Sequence, residues 1–140
     1  MSTISVIVIT HNEEQMLAQC LESVSWVDEI IVCDKKSTDQ TIAIAKKYGA
    51  KVSYFDGLYF DQWRNFAIQQ ARSNWVLYID PDERVPSRLH KEIIQAMSTD
   101  GFSAFRMPRK NYWWGQEFRN CGASPDYVTR LFKREKFQKW

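Results

Sequence analysis

Ile4-Ser5-Val6-Ile7-Val8-Ile9, running into Thr10-His11-Asn12-Glu13-Glu14, is the stretch from which the rest of the chain can be ordered. Apart from Ser5, its first half is an unbroken series of β-branched aliphatics. A strand reads this way when it is buried on both faces of a parallel sheet, because helices cover it from either side. The run should therefore be central, and the polar residues that follow it should sit at the carboxyl edge of the sheet.

Working outward, the same kind of strand recurs at Glu29 to Cys33, Lys51 to Tyr54 and Trp75 to Ile79. Helical spacing fills the gaps. Asn12 is placed to cap a first helix, with Gln15 as its capping-box partner and Leu17, Cys20, Leu21 and Val24 on one face. Ser37 or Thr38 is placed to cap a second, which carries Ile42, Ala45 and Tyr48 and stops at Gly49. Asp61 to Arg72 carries Trp63, Phe66, Ala67 and Gln70 at helical intervals, and Pro86-Ser87 opens a last helix with the stripe Leu89, Ile93, Ile94 and Met97. Strand-helix alternation of this kind implies an α/β fold, an open Rossmann-like sheet with helices on both faces.

The pattern changes near Gly101. Residues 1–101 carry 10 Lys and Arg against 14 Asp and Glu, whereas residues 102–140 carry 9 against 3 and half of the chain's 20 aromatics. Phe102 to Met107 and Tyr127 to Lys133 read as strands with a Trp113-Trp114-Gly115 loop region between them. We therefore divide the chain into 1–100, a ligand-binding α/β region, and 101–140, the start of a second, basic and aromatic region that reads as incomplete.

Several classes are disfavoured at this level. No apolar run approaches the ~18 residues that cross a bilayer, and the N-terminus lacks a basic n-region and long apolar h-region, so the expectation is a cytoplasmic protein. Cys20, Cys33 and Cys121 are odd in number and unpaired by spacing, which suits reduced core thiols. The 5 glycines form neither GxGxxG nor GxxxxGK[ST], so dinucleotide dehydrogenases and P-loop enzymes are set aside. Basic residues interleaved with Trp113, Trp114 and Trp140 could serve nucleic acid, but no such motif is present and net charge is only +2.

Ligands of open α/β sheets bind at the carboxyl ends of the strands. This chain places Thr10-His11-Asn12-Glu13, Asp34 and Asp80-Pro81-Asp82-Glu83 there. One Asp after a strand is an ordinary turn former or helix cap; three acidic strand ends in one sheet point to a site. Closely spaced carboxylates such as Asp80 and Asp82 can hold Mg²⁺ or Mn²⁺, and such an ion can neutralise a diphosphate. Arg64 shares a helix whose apolar face is already filled by Trp63 and Phe66, leaving it free to turn toward the strand ends.

The succession "ISVIVITHNEE" (4–14), "DKKSTDQT" (34–41), "DQWRNFAIQQA" (61–71) and "WVLYIDPDERV" (75–85) resembles glycosyltransferase family 2. With the tail "YWWGQEFRNCGASPDYVTRLFKR" (112–134) it is similar to the bacterial lipopolysaccharide-core glucosyltransferase-like branch. The resemblance implies a GT-A fold that binds a nucleotide-sugar, usually a UDP-sugar, with Mg²⁺ or Mn²⁺ as cofactor and transfers the sugar with inversion. It implies that Thr10 and Glu13 touch the nucleoside and that Asp34 accepts a hydrogen bond from the base. It further implies that Arg64 contacts the nucleotide or its diphosphate, that Asp80 lies near the ribose or metal water shell, and that Asp82 ligates the cation.

In this branch a carboxylate base follows the RLF-type strand, in a His-Glu segment expected just past Trp140. Among the carboxylates present in the tail, Asp126 is the residue nominated as base. The expected partners are a nucleotide-sugar donor and a glycan or glycolipid acceptor, with peripheral membrane contact and homodimerisation through exposed aromatics as further uses of the tail. Pro81 and Lys35-Lys36 depart from the family's small residues, and both lysines are expected in solvent. A different reading is a non-catalytic nucleotide-sugar binding or assembly module that lacks the base.

Overall fold

The computed structural model describes residues 2–118 and 126–139. The first strand, β1 (Ile4–Thr10), is buried along its whole length and lies inside a six-stranded sheet. Its neighbours are β2 (Glu29–Asp34) on one side and β4 (Trp75–Ile79) on the other, both parallel. β3 (Lys51–Tyr54) is the parallel edge beyond β2. The sheet continues past β4 with two antiparallel strands, β8 (Asp126–Lys133) and then β5 (Ala104–Arg109). The strand order is thus β3-β2-β1-β4-β8-β5, and the basic segment extends the same sheet.

Period-two alternation sends each strand's side chains into two cores. Ile4, Val6, Val8, Trp75, Leu77 and Leu131 face α1 (Leu17–Ser23), α2 (Thr41–Lys47) and α4 (Ser87–Met97). Ile7, Ile9, Ile31, Val76, Tyr78 and Phe132 face α3 (Phe60–Gln69) through Trp63, Ala67 and Ile68. Helices do cover both faces of the α/β sheet, three against one. Cys20 and Cys33 are free and buried in these cores, while Cys121 lies outside the described residues. Among the described residues no helix is long and apolar enough to cross a membrane.

Three local expectations are corrected. Asn12 does not cap α1: it stands at φ 56°, and its Oδ1 accepts the Thr38 N–H at 2.8 Å while its own N–H donates to Ser37 Oγ at 2.8 Å. Ser37 and Thr38 do not cap α2, because both are drawn into the β1 and β2 ends; the Thr41 N–H is instead met by Asp39 Oδ1 at 2.9 Å. Ile94 is 45% exposed, so the buried stripe of α4 is Ile93 and Met97 with Leu89 and Ala96 partly covered.

The stop at Gly49 holds. Gly49 adopts φ +72°, its N–H donates to Lys46 O at 3.0 Å and the Ala50 N–H reaches Ala45 O at 3.0 Å, which closes α2 with a Schellman turn. Nothing lies within 4 Å of where a Cβ would sit, so the backbone alone sets the cost of a side chain there. Gly49→Ala should destabilise the fold by about 1 kcal/mol, read as a small fall in the thermal midpoint; an unchanged midpoint would mean the left-handed turn is not held.

The Trp113-Trp114-Gly115 region is a hairpin, β6 (Tyr112–Trp113) against β7 (Gln116–Glu117). Trp114 and Gly115 at its turn both have positive φ, 48° and 77°, the signature of a tight type I′ connection. Trp140 and the Trp113 side chain lie outside the described residues.

Candidate active site

Parallel strands β1 and β4 end side by side, so their carboxyl-terminal residues share one cleft of roughly 470 Å³. Thr10, Glu13, Asp80 and Asp82 line it, as expected from their positions after the strands. The opposite wall is Trp63 with the segment Leu58-Tyr59-Phe60, whose side chains are well exposed. Lys35, expected in solvent, belongs to this cleft too: its Nζ stands 4.5 Å from the centre of the Trp63 ring. Lys36 does point outward and pairs with Asp56.

Asp34 is not on the cleft wall but beneath it, 1% exposed. Its Oδ1 accepts the Thr10 hydroxyl at 2.7 Å and the Ser37 hydroxyl at 2.6 Å, and its Oδ2 accepts the Ser37 N–H at 2.8 Å. A buried carboxylate is tolerated when its lone pairs are met in this way. Thus Asp34 ties β1 to β2 and fixes the loop after β2.

Asp80 and Asp82 have different surroundings. Tyr78 Oη donates to Asp80 Oδ1 at 2.8 Å, and Arg130 Nη2 donates to Asp80 Oδ2 at 2.7 Å and to Glu83 Oε1 at 2.6 Å. Glu83 also accepts the Asp80 N–H through Oε2 at 2.9 Å. Burial, with the charge of Asp80, pushes the Tyr78 phenol up to about 12, so it remains a donor at neutral pH. Burial opposes the Arg130 charge, but Glu83 and Asp80 more than offset it and hold the guanidinium protonated. Asp80 is therefore oriented inward by protein donors, whereas Asp82 is exposed in the cleft.

Glu13 stands within electrostatic reach of Asp82: desolvation first, then the Asp82 and Asp39 charges, raise its carboxyl above the ordinary value. Among the described residues no three His, Cys, Asp or Glu side chains gather as a metal cluster. A hard divalent ion shared with a diphosphate needs only one or two carboxylates besides phosphate oxygens and water. Asp82, with Glu13 facing the same space, fits that donor set; Asp80 fits less well, because both its oxygens are engaged.

Arg64 does not line the cleft. It faces a neighbouring basin between α3, β5 and β8 that shares Asp80 as a common wall, and its guanidinium lies 5.0 Å from the centre of the Tyr78 ring. Asp126, nominated as base, is ion-paired: Arg109 Nε donates to its Oδ2 at 3.0 Å. That contact holds the Asp126 carboxyl below the usual carboxylate range, the opposite of what a proton acceptor working near neutral pH requires.

The sequence reading missed Arg130. Leu77 pairs with Leu131, which brings Arg130 to 4.9 Å from the centre of the Tyr78 ring. A cation just ahead of the apolar pair Leu131-Phe132 in a strand, with an Asp-Pro-Asp-Glu needing a partner, was the available signal.

A family model described as glycosyl transferase family 2 matches residues 5–139. An uncharacterized glycosyltransferase of Rickettsia typhi is 43% identical over 139 residues, covering 96% of this chain and 48% of the relative. The lipopolysaccharide core biosynthesis glycosyltransferase LpsC of Rhizobium meliloti is 28% identical, covering 95% and 52%. Glucosyl-3-phosphoglycerate synthase of Mycobacterium tuberculosis, solved with Mn²⁺, UDP and glucosyl-3-phosphoglycerate, superposes with a TM-score of 0.63 at 25% identity over 74% of this chain and 42% of that one. The chain spans about half the length of the curated relatives it matches.

Proposed function

The chain belongs to glycosyl transferase family 2, and on that premise we propose that it forms the donor half of an inverting transferase that takes a UDP-sugar and delivers the sugar to a cell-envelope glycan such as a lipopolysaccharide core. The observation that carries this reading is the cleft at the ends of β1 and β4, where Thr10, Glu13 and Asp82 face an aromatic wall. The UDP held by the mycobacterial synthase supports the choice of nucleotide, and the name of LpsC supports the choice of acceptor.

In this reading residues 1–100 bind the donor and residues 101–140 begin the acceptor side. Trp63 and the Tyr59-Phe60 segment offer apolar surface to the base ring, and Thr10 sets the β1 end against Asp34. Asp82 would hold Mg²⁺ or Mn²⁺, with Glu13 beside it. When bound, that ion supplies positive charge to the departing diphosphate. Arg64 and Lys35 supply further positive charge at the two flanks of Asp80. Tyr112, Trp114 and Phe118 stand exposed on and beside the small hairpin, a surface suited to a sugar ring, a glycolipid membrane or a second copy.

Titration calorimetry with UDP, with and without Mn²⁺ and with GDP as control, tests the donor assignment. The expected result is UDP binding strengthened by Mn²⁺ and selective over GDP. A folded chain that binds neither nucleotide overturns it. The second reading, a nucleotide-sugar binding module without transfer, draws on the pairing of Asp126 with Arg109; turnover of a UDP-sugar in the presence of acceptor rejects it.

A further inference from the structure

We propose that the basin beside the donor cleft is an acceptor subsite for an acidic sugar, one that carries a carboxylate or phosphate; the inference rests on the transferase reading above. The basin holds roughly 710 Å³, room for a small saccharide. Arg64, Arg106, Arg109 and Arg130 all line it, and Asp80 separates it from the donor cleft. A group held there lies next to the ligand in the cleft yet on the opposite side of Asp80 from the bulk of it.

The charge count favours an anion. Among the described residues, four guanidinium groups line or border the basin against three carboxylates, Asp80, Glu83 and Asp126, so positive charge is in excess there. Those carboxylates use Nη2 of Arg130 and Nε, Nη1 and Nη2 of Arg109. Arg130 is only 7% exposed, and its Nε is buried without a hydrogen-bond partner. An unmet donor on a buried cation costs stability unless something binds it. Arg106, on the exposed side of β5, donates through Nη2 to Tyr127 O at 2.8 Å and keeps the rest of its fork available. Guanidinium forks match the planar oxygens of carboxylate and phosphate. Tyr127, 48% exposed, has the Arg106 guanidinium 5.8 Å from the centre of its ring and adds aromatic surface beside that fork.

The test uses glucose 6-phosphate, glucuronate and uncharged glucose as probes, titrated into the 140-residue chain saturated with UDP and Mn²⁺, with UDP affinity measured alongside. Both acidic sugars should bind at least about tenfold more tightly than glucose, roughly what one charge-assisted contact contributes. Arg106→Gln should remove most of that preference while leaving UDP affinity and the thermal midpoint unchanged. Equal binding of charged and uncharged sugars, no sugar binding beside intact UDP binding, or a preference that survives Arg106→Gln would each overturn the subsite and leave the donor reading standing. Inorganic phosphate that binds as tightly as glucose 6-phosphate would also overturn it, since the sugar would then contribute nothing. Loss of UDP binding itself would bring down the donor reading, and the subsite with it. The relative affinities of glucuronate and glucose 6-phosphate identify which oxyanion is preferred.

Discussion

Asp82→Asn should weaken Mn²⁺-dependent UDP binding by on the order of a hundredfold, or about 2.7 kcal/mol, and leave metal-free binding nearly unchanged. The prediction follows from how differently the two aspartates of the Asp-Pro-Asp turn are held. Both oxygens of Asp80 already accept protein hydrogen bonds, from Tyr78 and Arg130. Asp82 is exposed in the cleft, with Glu13 near enough to repel it. A cation entering between like charges relieves that repulsion, so removing one charge lowers cation affinity directly. The amide keeps size and shape, and no described interaction of the fold depends on the Asp82 charge, so thermal stability should hold. Asp80→Asn should behave in the opposite sense, losing stability first, because it breaks the Arg130 contact. Calorimetric titration of both variants separates the two roles; a Mn²⁺ dependence of UDP binding that survives Asp82→Asn would remove this carboxylate from the site.

The strands were legible because burial on both faces leaves a simple trace. Ile4 to Ile9 and Trp75 to Ile79 are almost continuous apolar runs, and the sheet places them side by side at its centre. Helix starts were less legible. Asn12, Ser37 and Thr38 have capping chemistry, but the loops after β1 and β2, set side by side by the parallel pairing, take up the same donors and acceptors. Asn12 joins Thr38, and Ser37 joins Asp34, a choice visible only once β1 and β2 are adjacent.

The candidate site divides the same way. Thr10, Glu13, Asp80 and Asp82 could be read because strand ends of a parallel sheet converge whatever the details. The separation of Arg64 from that cleft could not, since it depends on β5 and β8 folding back antiparallel to form a second concavity beside Asp80. Nor could the pairing of Asp126: Arg109 precedes it by 17 residues, and only the β5–β8 register sets them opposite each other. Local chemistry was legible; charge partners set by long-range pairing were not.

Arg130→Met follows from that long-range pairing and should have the largest effect on stability. The methionine preserves much of the aliphatic volume, so packing is largely retained. What changes is charge: Asp80 and Glu83 lose the donor that now lies 2.7 and 2.6 Å away. Asp80 and Glu83 are 33% and 22% exposed and keep the Tyr78 hydroxyl and the Asp80 N–H as donors, so the loss falls between that of an exposed and of a buried pair, about 2–3 kcal/mol. In a domain of this length the thermal midpoint should fall by on the order of 10 °C. Adding Glu83→Gln to Arg130→Met should restore part of the loss, since one uncompensated carboxylate is gone; a neutral packing defect would give no such rescue. A loss below about 1 kcal/mol, the level of an exposed pair, would show that solvent already screens the cluster and that Arg130 is not what orients Asp80.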